Sequence, residues 1–199
     1  MSKIAAVILA AGMSKRMGKP KHLLPLNGEP LIYYSITLAL QQNLHPIVVI
    51  AGQHKKEIEK VIQCDNVTYL YNPDYQSGMA SSLKLGIEAV SYEADAAMIF
   101  LGDQPFVPIQ VVQALIKEYE LNKDQGVCIV RPRYAGELGH PILFDGRLFE
   151  HFNKIDGDEG GRSIIRNHKE QLKIIDFSES LWGMDVDTPE DYERAVKYI

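Results

Sequence analysis

The chain has 199 residues, 46% of them hydrophobic, with 21 Lys and Arg against 26 Asp and Glu and a formal net charge of −5. These values are typical of one folded globular unit and exclude a disordered or collagen-like chain. The acidic balance argues against a surface that wraps nucleic acid, although a local basic cluster can still bind one anionic ligand. We therefore expect no nucleic-acid partner.

The N-terminal region gives no sign of a membrane segment. The longest apolar run, residues 4–11, is far shorter than the roughly 20 residues that cross a bilayer. Lys15 and Arg16 follow this run, whereas a secretory signal has its cations before the apolar core. Cys64 and Cys128 lack metal-ligand spacing, and the apolar surroundings of Cys128 favour reduced thiols. We expect a cytoplasmic protein without a membrane span.

Near-continuous apolar runs alternate with helical patterns from the first residues onward. Such runs are typical of strands that are covered on both faces of a parallel sheet. They predict strands at residues 5–10, 47–51, 67–71 and 96–101. Helical patterns lie between them, beginning with Pro30 as the first helical residue and continuing at residues 55–63 and 81–90. The alternation predicts a doubly wound α/β fold, with a mostly parallel sheet and its ligand at the carboxyl ends of the strands.

The second half of the chain is less regular. A helix is predicted from Pro108 to about Asn122. Three strands follow, at residues 127–130, 141–144 and 172–177. The glycines between these strands indicate loops beside a ligand. A last helix is predicted after Thr188, which is suited to cap it. No linker composition divides the chain, so we interpret residues 1–199 as a single domain.

The segment 9–21, LAAGMSKRMGKPK, carries the strongest chemical signal. Its small residues let a ligand approach the backbone, and the N–H groups of a glycine turn can bind phosphate oxygens. Arg16 and Lys21 add full positive charges. The segment is not a Walker A loop, because five residues separate Gly12 from Gly18. The alternative interpretation is an ordinary glycine turn with solvated cations.

Carboxylates follow two of the predicted strands. Asp103 comes directly after the apolar run 96–101, where it can hold Mg²⁺ together with substrate phosphates. Asp185 and Asp187 end a β-like run, whose alternation puts both on one side, so either can be a second metal ligand. Alone, Asp103 can be a turn residue and the later pair can complement a helix N-terminus. Together with the basic loop, the carboxylates favour phosphoryl-type chemistry on a nucleoside triphosphate.

At this point the sequence resembles the nucleotidyltransferases related to molybdenum cofactor guanylyl- and cytidylyltransferases. It is most similar to the cytidylyltransferase group, including homologues associated with purine catabolism. The resemblance covers essentially the full chain. The motifs that carry it are LAAGxSxRMGxxK at 9–21, NP at 72–73, GMASSL at 78–83, GDQP at 102–105, GHP at 139–141, GDEGG at 157–161 and DVDTPED at 185–191.

The resemblance implies a Rossmann-like nucleotide-binding half, residues 1–107, and a C-terminal elaboration, residues 108–199, that binds the acceptor and ends in a helix. It implies an Mg²⁺-dependent enzyme that moves CMP from CTP to the terminal phosphate of molybdopterin or its metal-loaded form and releases pyrophosphate. A molybdenum hydroxylase is then a possible client. The Gly-His-Pro motif, and Ala11 where guanylyltransferases usually carry Gly, favour CTP over GTP.

The resemblance also implies residue roles. Arg16, Lys21 and Asp103 are the catalytic residues, and Arg16 and Lys21 clamp the triphosphate. Asp103 and Asp187 ligate Mg²⁺, with Asp185 a weaker candidate. The implied nucleotide contacts are Leu9, Ala10, Ala11, Gly12, Arg16, Lys21, Ser81, Ser82 and Asp103, and the implied acceptor contacts are His140, Gly160 and Arg162.

Three other functions stay open. A sugar-phosphate or other small-phosphate nucleotidyltransferase uses the same loop and carboxylates with a different acceptor pocket. Some relatives resemble oxidoreductases that act on heterocycles, although this chain lacks a GxGxxG dinucleotide fingerprint. A carrier or insertion protein for a molybdenum hydroxylase would need no triphosphate clamp, so the presence of Arg16 and Lys21 counts against it.

Overall fold

Residues 1–199 are described by a computed structural model, in which strands and helices alternate along the chain. The strands are β1 (Ile4–Ala10), β2 (Pro25–Leu26), β3 (Glu29–Pro30), β4 (Ile47–Ala51), β5 (Val67–Tyr71), β6 (Ala96–Leu101), β7 (Ile129–Tyr134), β8 (Glu137–Leu138), β9 (Ile142–Asp145) and β10 (Leu172–Phe177). The α-helices are α1 (Leu31–Gln41), α2 (Lys55–Val61), α3 (Met79–Val90), α4 (Ile109–Asn122), α5 (Arg162–Asn167) and α6 (Pro189–Lys197). None of them combines the length and the apolar character that crossing a membrane requires.

One mixed sheet organises the molecule. Its strand order is β10-β7-β9-β6-β1-β4-β5, and the short β8 pairs with β7. The strands β6, β1, β4 and β5 are parallel neighbours, and β10 is parallel to β7. Only β9 and β8 run antiparallel to their neighbours. The predicted mostly parallel α/β sheet is therefore confirmed.

Helices cover both faces of this sheet. Ala6 and Ile8 of β1 pack in the layer that contains α1, α2 and α4, whereas Ala5 and Val7 face α3. Every residue of β1 is buried. The double coverage explains why the sequence shows continuous apolar runs instead of alternation.

The structure differs from the sequence prediction at several boundaries. Pro30 is the N-cap of α1 and not its first residue, because its backbone is extended, with ψ at 146°, and belongs to the short strand β3. The strand predicted at 127–130 continues to Tyr134. A 3₁₀ segment, Gly146–Lys154, and helix α5 occupy stretches that the sequence analysis assigned to loops. The last helix is as predicted, with Thr188 as its N-cap.

The β-like run assigned to residues 185–187 is wrong. These residues form no strand, since they belong to no ladder of the sheet. They lie across the end of β6 instead, where the amide of Val186 donates to the carbonyl of Asp103 at 3.0 Å. Val186 is fully buried, and Asp185 and Asp187 on either side of it line the same cleft. The inference that both carboxylates share one side is therefore correct without a strand.

Close contact between α3 and the sheet gives a stability prediction. A Cβ at Gly86 would lie 2.4 Å from Cγ1 of Val7 and 3.3 Å from Cγ1 of Ile50. Both neighbours are β-branched strand residues with stiff side chains. We expect Gly86→Ala to lower the free energy of unfolding by about 1–3 kcal/mol, measured by urea denaturation. Glu88→Ala, on the exposed side of the same helix, is the control and should stay within about 0.5 kcal/mol. An unchanged or raised stability for Gly86→Ala would contradict this packing.

Candidate functional site

The parallel neighbours β1 and β6 end side by side at a cleft of about 620 Å³. This is the edge of an α/β sheet at which ligands bind. The cleft continues past the β9 side of the sheet, so it is lined by both halves of the chain. The predicted site residues that line it are Leu9, Ala11, Gly12, Arg16, Lys21, Ser82, Asp103, Asp185, Asp187, His140, Gly160 and Arg162.

The loop after β1 keeps free hydrogen-bond donors beside the cleft. The amides of residues 12–16 donate to no other backbone group. The loop is closed behind them, because the amides of Met17 and Gly18 both donate to the carbonyl of Ser14, at 3.1 and 3.0 Å. Ser14 also accepts from the amide of Lys21 through its hydroxyl, at 3.2 Å. A row of free N–H groups on a closed turn is suited to bind an anion.

Lys21 joins two of the predicted carboxylates. Its ammonium donates to Asp103 Oδ2 and, at 2.7 Å, to Asp187 Oδ1. Arg16 Nη2 lies 2.8 Å from Asp187 Oδ2. Burial by itself would lower the pKa of Lys21, but the charge and hydrogen bond of Asp103 outweigh it and hold that pKa above its ordinary value. Burial likewise acts to raise the pKa of Asp187, and Lys21 and Arg16 reverse this, so the carboxylate is held in its charged form.

Asp185 differs from Asp187 in its hydrogen-bond partner and in the direction of its pKa shift. Its Oδ1 accepts a hydrogen bond from Gln104 Nε2 at 2.8 Å, and no cation contacts it. Burial, and then the negative charge of Asp103, raise the pKa of Asp185 to about 6. A pKa of about 6 leaves Asp185 mostly charged at pH 7. Asp187 differs from it because its charge is paired with Lys21 and Arg16, beside Asp103.

The donors available for a metal are these two carboxylates. No group of three or more His, Cys, Asp or Glu side chains is placed to hold a metal ion. However, Asp103 Oδ1 is buried and has no hydrogen-bond partner, so an acceptor oxygen is free. Mg²⁺ usually takes one or two carboxylates from a protein and completes its shell with waters and substrate phosphates. The residues present fit such an ion.

Ala10 and Ser81 are the two predicted contacts that do not line the cleft. The side chain of Ala10 is buried in β1. The hydroxyl of Ser81 donates to the carbonyl of Gly78 at 2.9 Å and accepts from Asn72 Nδ2 at 2.8 Å, so its hydrogen bonds serve the turn before α3. Asn72 Nδ2 also donates to the buried Ser82 hydroxyl, at 2.9 Å. Asn72 thus positions both serines, and the sequence analysis gave it no role.

The far end of the cleft carries the predicted acceptor contacts. His140 lines this end of the cleft, and the backbone carbonyl of His140 accepts from the hydroxyl of Tyr134 at 2.7 Å. Burial, and next the positive charge of Arg131, lower the pKa of His140 to about 4, so the ring is neutral at neutral pH. Gly160 and Arg162 complete this end, at the start of α5.

Among the cleft residues to which the sequence analysis assigned no role are His22, Gln104 and Arg131. His22 and Gln104 follow predicted site residues directly, but their burial depends on packing that no local pattern shows. Arg131 lies in β7 beyond the predicted end of that strand. Two arginines at alternate positions, 131 and 133, were the one available signal that one face of this strand carries charge.

Residues 6–172 match the MobA-like NTP transferase domain. The chain belongs to this family. Three relatives match nearly the full length of both chains. Molybdenum cofactor cytidylyltransferase of Escherichia coli K12 is 29% identical over 98% of this chain and 96% of the relative. Nicotine blue oxidoreductase of Paenarthrobacter nicotinovorans is 29% identical, covering 97% and 96%. Purine catabolism protein PucB of Bacillus subtilis 168 is 27% identical, covering 96% and 95%. The resemblance stated from the sequence motifs is confirmed.

Solved structures share the fold. A homologue of Rv0371c from Mycobacterium sp. strain JC1 is 27% identical and superposes with a TM-score of 0.85, covering 98% of this chain and 96% of the other. Rv0371C of Mycobacterium tuberculosis H37Rv, solved as a complex with manganese, is 24% identical, with a TM-score of 0.82 and coverage of 99% and 100%. The chain thus has the Rossmann-like fold of a nucleotidyltransferase family.

The buried His22 makes stability depend on pH. Burial lowers its pKa to about 4 in the folded protein, below an unfolded value near 6.5. The unfolded state therefore binds more protons between these two values, and stability falls as pH falls through them. We expect the free energy of unfolding to drop about 2 kcal/mol less in His22→Gln than in wild type between pH 7 and pH 4.5. The exposed His151→Gln is the control. Equal pH dependence in all three proteins would refute the burial of a neutral His22.

Proposed function

We propose that this protein transfers CMP from CTP to the terminal phosphate of molybdopterin, or of its metal-loaded form, and releases pyrophosphate. The observation that carries the proposal is the cluster of Arg16, Lys21, Asp103 and Asp187 below a loop of free amides, at the carboxyl ends of β1 and β6. Membership of the MobA-like family and the name of the Escherichia coli relative support the choice of acceptor. The name of PucB supports a link to purine catabolism and so to a molybdenum hydroxylase as client.

The loop would bind the triphosphate. The free amides of residues 12–16 can donate to phosphate oxygens, while Arg16 and Lys21 contribute the full charges that N–H dipoles lack. Ala11 and Gly12 allow the base and ribose to approach the backbone. Positive charge is also what the departing pyrophosphate requires, so these two side chains would act in the transition state as well as in binding.

A divalent cation, Mg²⁺ in this proposal, would be held by Asp103 and Asp187. Asp103 offers its unpartnered Oδ1, and Asp187 is kept charged by Lys21 and Arg16. Asp185 is the weaker candidate because its Oδ1 already accepts from Gln104. When bound, the ion would screen the repulsion between the attacking phosphate and the α-phosphate.

No general base is needed, because the attacking group is already an anionic phosphate. The protein's task is then to place two anions in line and to stabilise the leaving group. The neutral His140, together with Gly160 and Arg162, would hold the acceptor at the far end of the cleft. His140 would serve there as a neutral hydrogen-bonding group and not as an acid.

Pyrophosphate release with each of the four nucleoside triphosphates, with and without molybdenum cofactor, tests the function. We expect release that needs the cofactor and is greatest with CTP, since a pyrimidine fits a pocket whose backbone approaches closely. In direct competition CTP should win over GTP, and Ala11→Gly, combined with changes at Ser81 and Ser82, should weaken that preference before it slows transfer. A wild-type preference for GTP would refute the assignment of the base.

The same assay separates the alternatives. Release that needs a sugar phosphate instead of the molybdenum cofactor would identify a sugar-phosphate nucleotidyltransferase. An oxidoreductase, as the name of the Paenarthrobacter relative indicates for that protein, would consume reduced nicotinamide with a heterocyclic substrate and release no pyrophosphate. Cofactor binding without either reaction would favour a carrier.

Asp103 provides the test of the metal assignment. We expect Asp103→Asn to lower the transfer rate about 100-fold or more, because it removes a charge at the reacting phosphates. The far-ultraviolet circular dichroism spectrum should be unchanged, since Asp103 follows β6 and does not pack in the core. Asp124→Asn, an exposed carboxylate before β7 at the opposite end of the strands, is the control. Near-normal turnover in Asp103→Asn would remove Asp103 from the metal site.

A further inference from the structure

Two arginines in the cleft lack a carboxylate partner. Arg131, in β7, and Arg162, at the start of α5, both line the cleft, and neither forms an ion pair. The other arginines near the site or on the same elements are paired: Arg16 with Asp187, Arg133 with Asp176, Arg147 with Asp145 and Arg166 with Glu159. Arg194, on α6, also forms no ion pair, but it is exposed to solvent and does not line the cleft.

Arg131 is the more deeply placed of the two. Its Nε is buried without a hydrogen-bond partner, and the one hydrogen bond that its guanidinium donates runs from Nη2 to the carbonyl of Gly139, at 3.2 Å. Burial, followed by the like charge of Arg162, lowers the pKa of Arg131. Buried charges in proteins are normally paired, because an unpaired one loses its hydration without compensation. This guanidinium lacks the anion that its position requires.

The carboxylates closest to Arg162 along the chain are engaged elsewhere. Asp158 Oδ1 accepts from the amide of Met79 at 3.2 Å, and Glu159 Oε1 accepts from Arg166 Nη2 at 3.3 Å. His140, which lies within electrostatic range of Arg131, Arg162 and Asp103, is neutral and supplies no charge. Neither carboxylate forms an ion pair with Arg162, so the N–H donors of this guanidinium stay available to a ligand.

We propose that Arg131 and Arg162 form a binding subsite for a phosphomonoester, namely the phosphate of the acceptor that attacks the nucleotide. The inference rests on the proposed function and adds Arg131, with its buried and unpartnered Nε, to the residues that hold the acceptor. Guanidinium groups bind phosphate through paired N–H donors, and a guanidinium does not lose its proton at any working pH. Arg131 and Arg162 line the same cleft as Asp103 and Asp187, so the subsite shares that cleft with the carboxylates assigned to the metal.

The subsite has a defined part in the reaction. An oxygen of the bound phosphate forms a bond to the α-phosphorus of CTP, while the bond from that phosphorus to the bridging oxygen of the β-phosphate breaks. Pyrophosphate leaves with the electron pair of that bond, and no proton transfer is required. Arg131 and Arg162 bind the attacking anion without protonating it, so an oxygen stays free to react.

Steady-state kinetics of Arg131→Met and Arg162→Met test the subsite, with Arg133→Met as the matched control from the same strand. We expect the KM for the acceptor to rise about tenfold or more in both variants, as for loss of a charge-assisted phosphate contact. The KM for CTP should stay within about twofold. Arg131→Lys keeps the charge but not the paired donors, so it should recover part of the loss. A KM for CTP that rises as much as that for the acceptor would place Arg131 on the triphosphate and overturn the proposal.

A binding measurement makes the inference independent of turnover. Titration of the metal-free protein with inorganic phosphate at low ionic strength, followed by ³¹P nuclear magnetic resonance, should show weaker binding in Arg131→Met than in wild type or Arg133→Met. The comparison with Arg131→Met separates this subsite from the basic loop, and urea denaturation confirms that each variant is folded. Unchanged phosphate affinity, or equal competition by acetate, would overturn the subsite. Arginine-dependent phosphate binding without any nucleotidyl transfer would overturn the proposed function and leave the subsite standing.

Discussion

The buried ammonium of Lys21 holds the site together, because it bonds Asp103 and Asp187 at once. It links the loop after β1, the end of β6 and the segment before α6, which are remote from one another in sequence. Burying a charge costs several kcal/mol unless it is well paired, and removing one partner of a buried pair costs about 3–5 kcal/mol. The pairing of Lys21 with both carboxylates therefore stabilises the positions of these three segments relative to one another. The hydrogen bond from Val186 to Asp103 fixes the backbone at the same place.

The same contacts imply an exchange of partners when substrate binds. In the structure the cations Arg16 and Lys21 neutralise carboxylates. A triphosphate would compete for these cations, and a divalent ion would compete for Asp103 and Asp187. The triphosphate would thus replace the carboxylates as partner of the two cations, and the divalent ion would replace the cations as partner of the two carboxylates. The local charge stays balanced. A triphosphate and a divalent ion that arrive together meet this condition, whereas either alone leaves a buried charge without a partner.

Strand positions could be predicted where every residue of the strand is buried, because such strands are apolar throughout. All of β1 and β4 is buried, so both appear as apolar runs. The end of β7 could not be predicted, because Arg131 faces the cleft and Arg133 pairs with Asp176 on the neighbouring β10. The segment Gly146–Lys154 buries Leu148, Phe149 and Phe152, a spacing that fits one helical face, but it is short and begins at a glycine, which favoured a loop. Its place depends on the sheet face that it covers.

The site divides in the same way between local and tertiary determinants. The nucleotide half is one loop that continues a strand, so its small residues, cations and free amides are encoded in consecutive residues and form a recognisable motif. The proposed acceptor half combines β7, the turn at His140 and the start of α5, whose side chains form one end of the cleft only when the chain is folded. Arg131 is unpaired because the fold places no carboxylate beside it. The local sequence does not show this. Changes in these three segments can alter the acceptor pocket without disturbing the pairing of Lys21. The choice of acceptor can therefore differ among relatives that keep the motif of the nucleotide loop.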